Sequence, residues 1–127
     1  RVGKGPWYNV KGALVAQNVD ELHSDKANIN NDTALDERGR PINAQGAPNR
    51  HDILTGSQLD GRAYPPELDY TCNNWTSNGT GSAQVGHSDR IGNGNQSWNS
   101  SHATTGCSQR DLVSWGGVGL FYCFAAN

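Results

Sequence analysis

Three cysteines, Cys72, Cys107 and Cys123, constrain this 127-residue chain more tightly than any other feature. None lies in a C-x-x-C pair, which excludes a zinc ribbon and a thioredoxin-type redox motif. The surrounding composition is loop-rich, with many Asn, Ser, Thr and Gly and few Lys or Glu. Cysteines in such a context point to an oxidising compartment, so the protein is read as secreted, extracellular or periplasmic. An odd number leaves one thiol without a partner inside the chain. The material for a core is thin: 34% of residues are hydrophobic, there are two Phe and Met is absent. The 16 Gly and 5 Pro amount to about 17% of the chain, above the usual ~12%, which predicts many turns and little helix. Residues 1–127 suffice for one domain.

A net charge of −2 and a pI near 6.0 exclude a partner held mainly through phosphates, so nucleic acid is not expected. The most apolar uncharged stretch, 112–127, is broken by Ser114, Gly116, Gly117 and Gly119 and predicts no membrane span. No signal or transit segment stands at Arg1, so the chain is read as either cytosolic or already processed, the second agreeing with the cysteines. Asn-x-Ser/Thr triplets begin at Asn31, Asn74, Asn78, Asn95 and Asn99, but in a chain this rich in Asn and Ser they say little about glycosylation.

Along the chain, Trp7, Tyr8, Asn9 and Val10 read as a short strand entering a turn at Lys11-Gly12. Leu14, Val15, Val19 and Leu22 recur at roughly helical spacing, and Asn18 is placed to cap a helical turn whose first residues include Asp20 and Glu21. Residues 23–49 form a long irregular segment, with a turn at 37–41. Asp60-Gly61 is the best hairpin signal. Residues 71–76 read as a strand or its approach. The apolar run 118–124 reads as the central strand of the sheet.

An ordered set of motifs then resembles the C-type-lectin-like fold, in its endostatin-like branch and the bacterial extracellular lectin-like domains. The set is LTGSQLDGR at 54–62, CNNWT at 72–76, the Gly/Ser loop at 79–86, Cys107, and LFYC at 120–123. NVKGAL at 9–14 and NVDEL at 18–22 resemble the segment that precedes this block. The resemblance implies an α+β fold of twisted antiparallel strands, little helix and long disulfide-stapled loops. It implies a Cys72–Cys107 disulfide, which leaves Cys123 to pair with a cysteine of another chain or of a missing N-terminal portion. Cys123 as a buried free thiol in the last strand is the plain alternative.

Three sites present themselves. E-P-N and Q-P-D are absent, and Trp98-Asn99-Ser100 has Ser where a calcium-binding carboxylate would stand, so a calcium–sugar site is not expected. His87, Asp89 and His102, drawn from GHSDR at 86–90 and SWNSSH at 97–102, form a workable transition-metal set if the loop folds back. His87 and Asp89 would share one face of an extended strand. Against this stand a loop held by Asp89 and Arg90, and a His102 packed on Trp98. His23 and His51 read as isolated surface residues. The third site is a metal-free glycan or protein surface built from Trp115, Asn95, Asn99 and Arg90, with Trp75 and Trp98 assigned to the core and Tyr122 a further flat face.

The arginines are scattered among acidic neighbours and make no basic cluster. Neither G-x-S-x-G nor H-E-x-x-H occurs, and a Cys107–His dyad conflicts with the implied disulfide. Asp69 with Glu67 is a carboxylate pair of the kind any acidic chain permits. The expected function is non-enzymatic extracellular recognition of a glycan or protein surface, with no resident cofactor. An assembly subunit linked to a second chain through Cys123, or a metal-binding protein using His87, Asp89 and His102, are the alternatives.

Overall fold

The computed structural model describes residues 2–43, 47–92 and 95–126. A two-stranded antiparallel sheet, β1 (Trp7–Tyr8) with β2 (Leu14–Ala16), leads into the single helical turn α1 (Val19–Leu22). Asn18 caps that turn as expected, its Oδ1 accepting from the Glu21 amide. Leu14 and Val15, expected at helical spacing, lie in strand β2 instead. The turn at 37–41 forms, closed by the Asp36 and Arg40 backbones and by an Asp36–Arg40 ion pair. The arginine and the backbone amides around the Asp36 carboxyl hold its pKa down at about 2.

The larger sheet has the order β5-β4-β3-β6, from β3 (Asp52–Leu54), β4 (Gln84–His87), β5 (His102–Ala103) and β6 (Gly117–Phe121). It is mixed: β3–β4 and β4–β5 are antiparallel, whereas β3–β6 is parallel. The apolar 118–124 run is therefore an edge strand and its continuation, not the centre of the sheet. The centre belongs to β3 and β4, whose every residue is buried. They escape a hydropathy reading because Asp52, Gln84 and His87 stand among their apolar residues. The Asp60-Gly61 signal yields a tight turn flanked by one Ser57–Ala63 bridge rather than a full hairpin.

The core consists of two separate apolar clusters. Trp7, Ala16, Leu22, Ala27, Ile29 and Trp98 form one. Leu54, Cys72, Ala83, Val85, Cys107 and Leu112 form the other, which contains the Cys72–Cys107 disulfide. Trp98 is core as expected, its indole N–H donating to the Leu22 carbonyl. Trp75 is not: it is 40% exposed and packs edge-on to Phe121. Residues 72–75 do not extend as a strand. They form α2 (Cys72–Trp75), one left-handed turn with φ between 51° and 64° at all four positions. Left-handed backbone costs an L-residue roughly 1–2 kcal/mol. The Asp69 carboxylate offsets part of this by accepting from the Thr71 and Asn73 amides.

Cys123 lies just past β6 as a free, exposed thiol, so it is not a core residue. Among the described residues, no helix is long and apolar enough to cross a membrane. The longest helix, α3 (Gln109–Trp115), starts from a reciprocal Ser108–Asp111 capping box and stops at Gly116 in the left-handed region. Ser108→Ala should lower stability by about 1 kcal/mol in urea unfolding. Because hydrogen bonds from Ser108 lower the Asp111 pKa, the contribution of this box is present above the ordinary carboxylate range and fades as pH falls through it.

Candidate metal centre

The pairing of β3 with β4 sets Asp52 directly opposite His87, and β5 delivers His102 opposite Val85. Residues two apart on a strand share a face, so Asp52, His87 and His102 stand at one end of the face that carries Leu54 and Val85. His51, one residue before β3, turns its ring onto His87 in a parallel stack with centroids 4.2 Å apart. The outcome is one carboxylate oxygen ringed by imidazoles. Asp52 Oδ1 lies 3.2 Å from His87 Nε2, 3.3 Å from His51 Nε2 and 3.6 Å from His102 Nε2.

These distances fall within ion-pair range, yet none is a directed hydrogen bond. Both Asp52 carboxylate oxygens and His87 Nε2 are buried without a hydrogen-bond partner, and the Asp52 side chain is only 2% exposed. The opposite ring nitrogens explain why. His51 Nδ1 sits 3.0 Å from the Asp89 carboxylate, which only accepts. His102 Nδ1 faces the Ala103 carbonyl at 3.3 Å. His87 Nδ1 faces Ser101 Oγ at 3.3 Å, and the proton of that hydroxyl is already donated to the Asn95 carbonyl. The acceptors behind each Nδ1 suit the tautomer that carries its proton there, which turns an Nε2 lone pair to the carboxylate side.

Unprotonated ring nitrogens gathered about an anion repel it unless a cation lies among them. Ligands ~2.0–2.1 Å from a tetrahedral ion are about 3.3–3.4 Å from one another, close to the 3.2 and 3.3 Å from Asp52 Oδ1 to the His87 and His51 nitrogens. Carboxylate, hydroxyl and carbonyl groups behind the imidazoles are the outer partners that fix metal-ligating histidines.

Of the expected set of His87, Asp89 and His102, the two imidazoles face Asp52 Oδ1 and Asp89 does not. Strand β4 ends at His87, and a turn closed by the Arg90 amide on the His87 carbonyl swings Asp89 away from Asp52. Asp89 instead backs His51 and accepts from Asn43 and the Ile91 amide. Both members that sequence reasoning missed are adjacent, His51 and Asp52. His51 is no isolated surface residue, its side chain being 12% exposed. The signal was a His-Asp step opening the apolar pair Ile53-Leu54. His102 rests on Trp115, not on Trp98; His23 takes the place beside Trp98.

The residues expected to bind a glycan divide. Arg90, Asn95 and Asn99 line one cleft of about 480 Å³ together with His23, Asp25 and Trp98. Asn99 is buried there, its amide nitrogen donating to Ser57 and Gln58 and its oxygen accepting from Ser97, so it holds the cleft wall. The Arg90 guanidinium donates to the Gln96 and Ala27 carbonyls. Asn95 is exposed, and Asn93 and Gly94 of the same loop lie outside the described residues. Trp115 is not part of this cleft. It is 47% exposed, with its indole N–H on Thr105 Oγ1 and its ring against His102. Tyr122 stacks edge-on to Trp98, and burial pushes its hydroxyl pKa up.

Comparison of the chain with protein-family models, with curated proteins and with solved structures finds no match.

Proposed function

We propose that this chain is a metal-binding domain of an oxidising compartment, holding one divalent transition-metal ion between His51 Nε2, Asp52 and His87 Nε2, with His102 at the rim. The observation that carries this reading is the buried Asp52 carboxylate, without hydrogen bonds and faced by three imidazole nitrogens whose protons are held elsewhere. Imidazole donors suit zinc, copper, nickel or cobalt, whereas calcium and magnesium require oxygen-rich cages. Ligands from the start of β3 and the end of β4 would let the ion tie these two strands together, coupling metal binding to stability. The disulfide supports the compartment.

The test is calorimetric titration of the demetallated full chain with zinc, with metal content measured after dialysis. One ion per chain is expected, with His87→Ala weakening binding at least ~100-fold and Asp89→Asn about tenfold through the loss of His51 orientation. Wild-type binding no tighter than that of the His51→Ala, His87→Ala double variant would sink the proposal.

A second reading, recognition of a glycan by a C-type-lectin-like domain, is supported by the polar cleft between His23, Asp25, Arg90 and Asn95. A link to a second chain through Cys123 belongs to the same reading, its support being the exposed thiol.

A further inference from the structure

The four candidate ligands are not equivalent. His51, Asp52 and His87 offer ligand atoms all within 4.8 Å of one another, a compact set that His102 does not join. His102 lies farthest from Asp52 Oδ1, sits on the two-residue edge strand β5, and is the most exposed of the four at 28%. Three protein ligands with a fourth position given to water or an external molecule are the pattern of functional zinc sites, whereas four fixed ligands mark structural ones. The side on which His102 stands is therefore the side on which the coordination sphere can exchange.

The same side carries a flat apolar surface. The Trp115 ring lies 5.6 Å from the His102 ring at a 43° tilt, half exposed and held by the bond from its indole to Thr105. A dication with one ligating carboxylate and neutral imidazoles keeps about one positive charge in its own coordination sphere, the Asp89 carboxylate standing one imidazole farther off behind His51, and this admits an anionic donor in the exchangeable position. Resting on the metal reading above, we infer that this position accepts a carboxylate-bearing small molecule whose flat apolar body lies on Trp115. The metal supplies the charge complement and the indole supplies the apolar contact. His102 borders the incoming ligand instead of holding the ion.

Cobalt(II) added to the demetallated full chain tests this, because its visible spectrum reports coordination number. Benzoate is expected to shift the cobalt bands and to bind about tenfold tighter than acetate. Trp115→Leu, with folding checked by circular dichroism, should bring benzoate to the level of acetate and leave cobalt affinity unchanged. His102→Ala should retain cobalt within about tenfold of wild type. An intense four-coordinate cobalt spectrum that about 100 mM benzoate leaves unmoved would overturn the exchangeable position and leave the metal reading standing. Equal binding of acetate and benzoate would overturn the role of Trp115. Failure of cobalt and zinc to bind at all would instead remove the metal reading itself.

Discussion

Asp52→Asn is expected to move stability in opposite directions in the two forms of the protein. In the chelated chain at about pH 8, above the ordinary imidazole range, it should raise the urea midpoint. In the zinc-loaded chain it should remove most of the gain that the metal confers. The reason is the environment of the carboxylate: buried, without a hydrogen bond, and faced by nitrogen lone pairs rather than N–H groups. A buried charged group left unsatisfied costs about 1–3 kcal/mol or more. An amide in its place donates to Nε2 and ends the repulsion. Zinc at a thousandfold excess over its dissociation constant stabilises the wild type by about 4 kcal/mol, and the amide, a poor ligand, forfeits this. If Asp52→Asn proved less stable than wild type in chelator, the carboxylate would already be satisfied by the imidazoles, and the metal would not be needed to explain the cluster.

Gly86→Ala is expected to be the most damaging Gly-to-Ala change among the described residues. Gly86 lies in β4 between Val85 and His87, and a Cβ there would overlap the Trp98 carbonyl and the Asn99 amide nitrogen. Those contacts are backbone, so no rotamer change can relieve them. The 97–99 segment would have to leave the sheet, taking with it the Asn99 bonds to Ser57 and Gln58 and the buried ring of Trp98. Overpacking of this kind costs about 3 kcal/mol or more, and the shift in β4 carries His87 with it, so zinc affinity should fall as well. Gly79→Ala is the matched control: its Cβ meets nothing within 4 Å, and a change within about 0.5 kcal/mol is expected. Similar urea midpoints for both variants would mean that the 97–99 segment does not cross β4 as closely as described.

Local features were legible where a few neighbouring residues decide the outcome. Asn18 caps its turn because its side chain needs only the amide three residues on. The 37–41 turn closes within its own residues and Asp36. Ser108-Gln109-Arg110-Asp111 followed by Gly116 was an equally local helix signal, lost because residues 112–127 were read as one uncharged run. At Cys72–Trp75 the local reading misled. The left-handed turn depends on Asp69 from outside the segment and on a disulfide to residue 107.

The candidate site was half legible. His87 and His102 stood out as imidazoles in a Gly/Ser-rich stretch, and the sheet does bring both to one carboxylate. Which carboxylate it would be depended on where β4 stops and on which strand pairs with it. Asp89 is near His87 in sequence but beyond the turn, whereas Asp52 is 35 residues away and directly opposite.

The sequence by itself determined an α+β chain poor in helix, a thin core that includes Trp98, an exposed Trp115, and two of the imidazoles, His87 and His102, that gather in the cluster. The tertiary structure alone decided that β3 and β4 are central, that β6 is a parallel edge, and that His51 and Asp52 complete the cluster. Strand order and register are settled by contacts between residues far apart in the chain. Hydrophobic periodicity ranks segments by how apolar they are, so it passes over a buried strand whose polar residues are there to face one another.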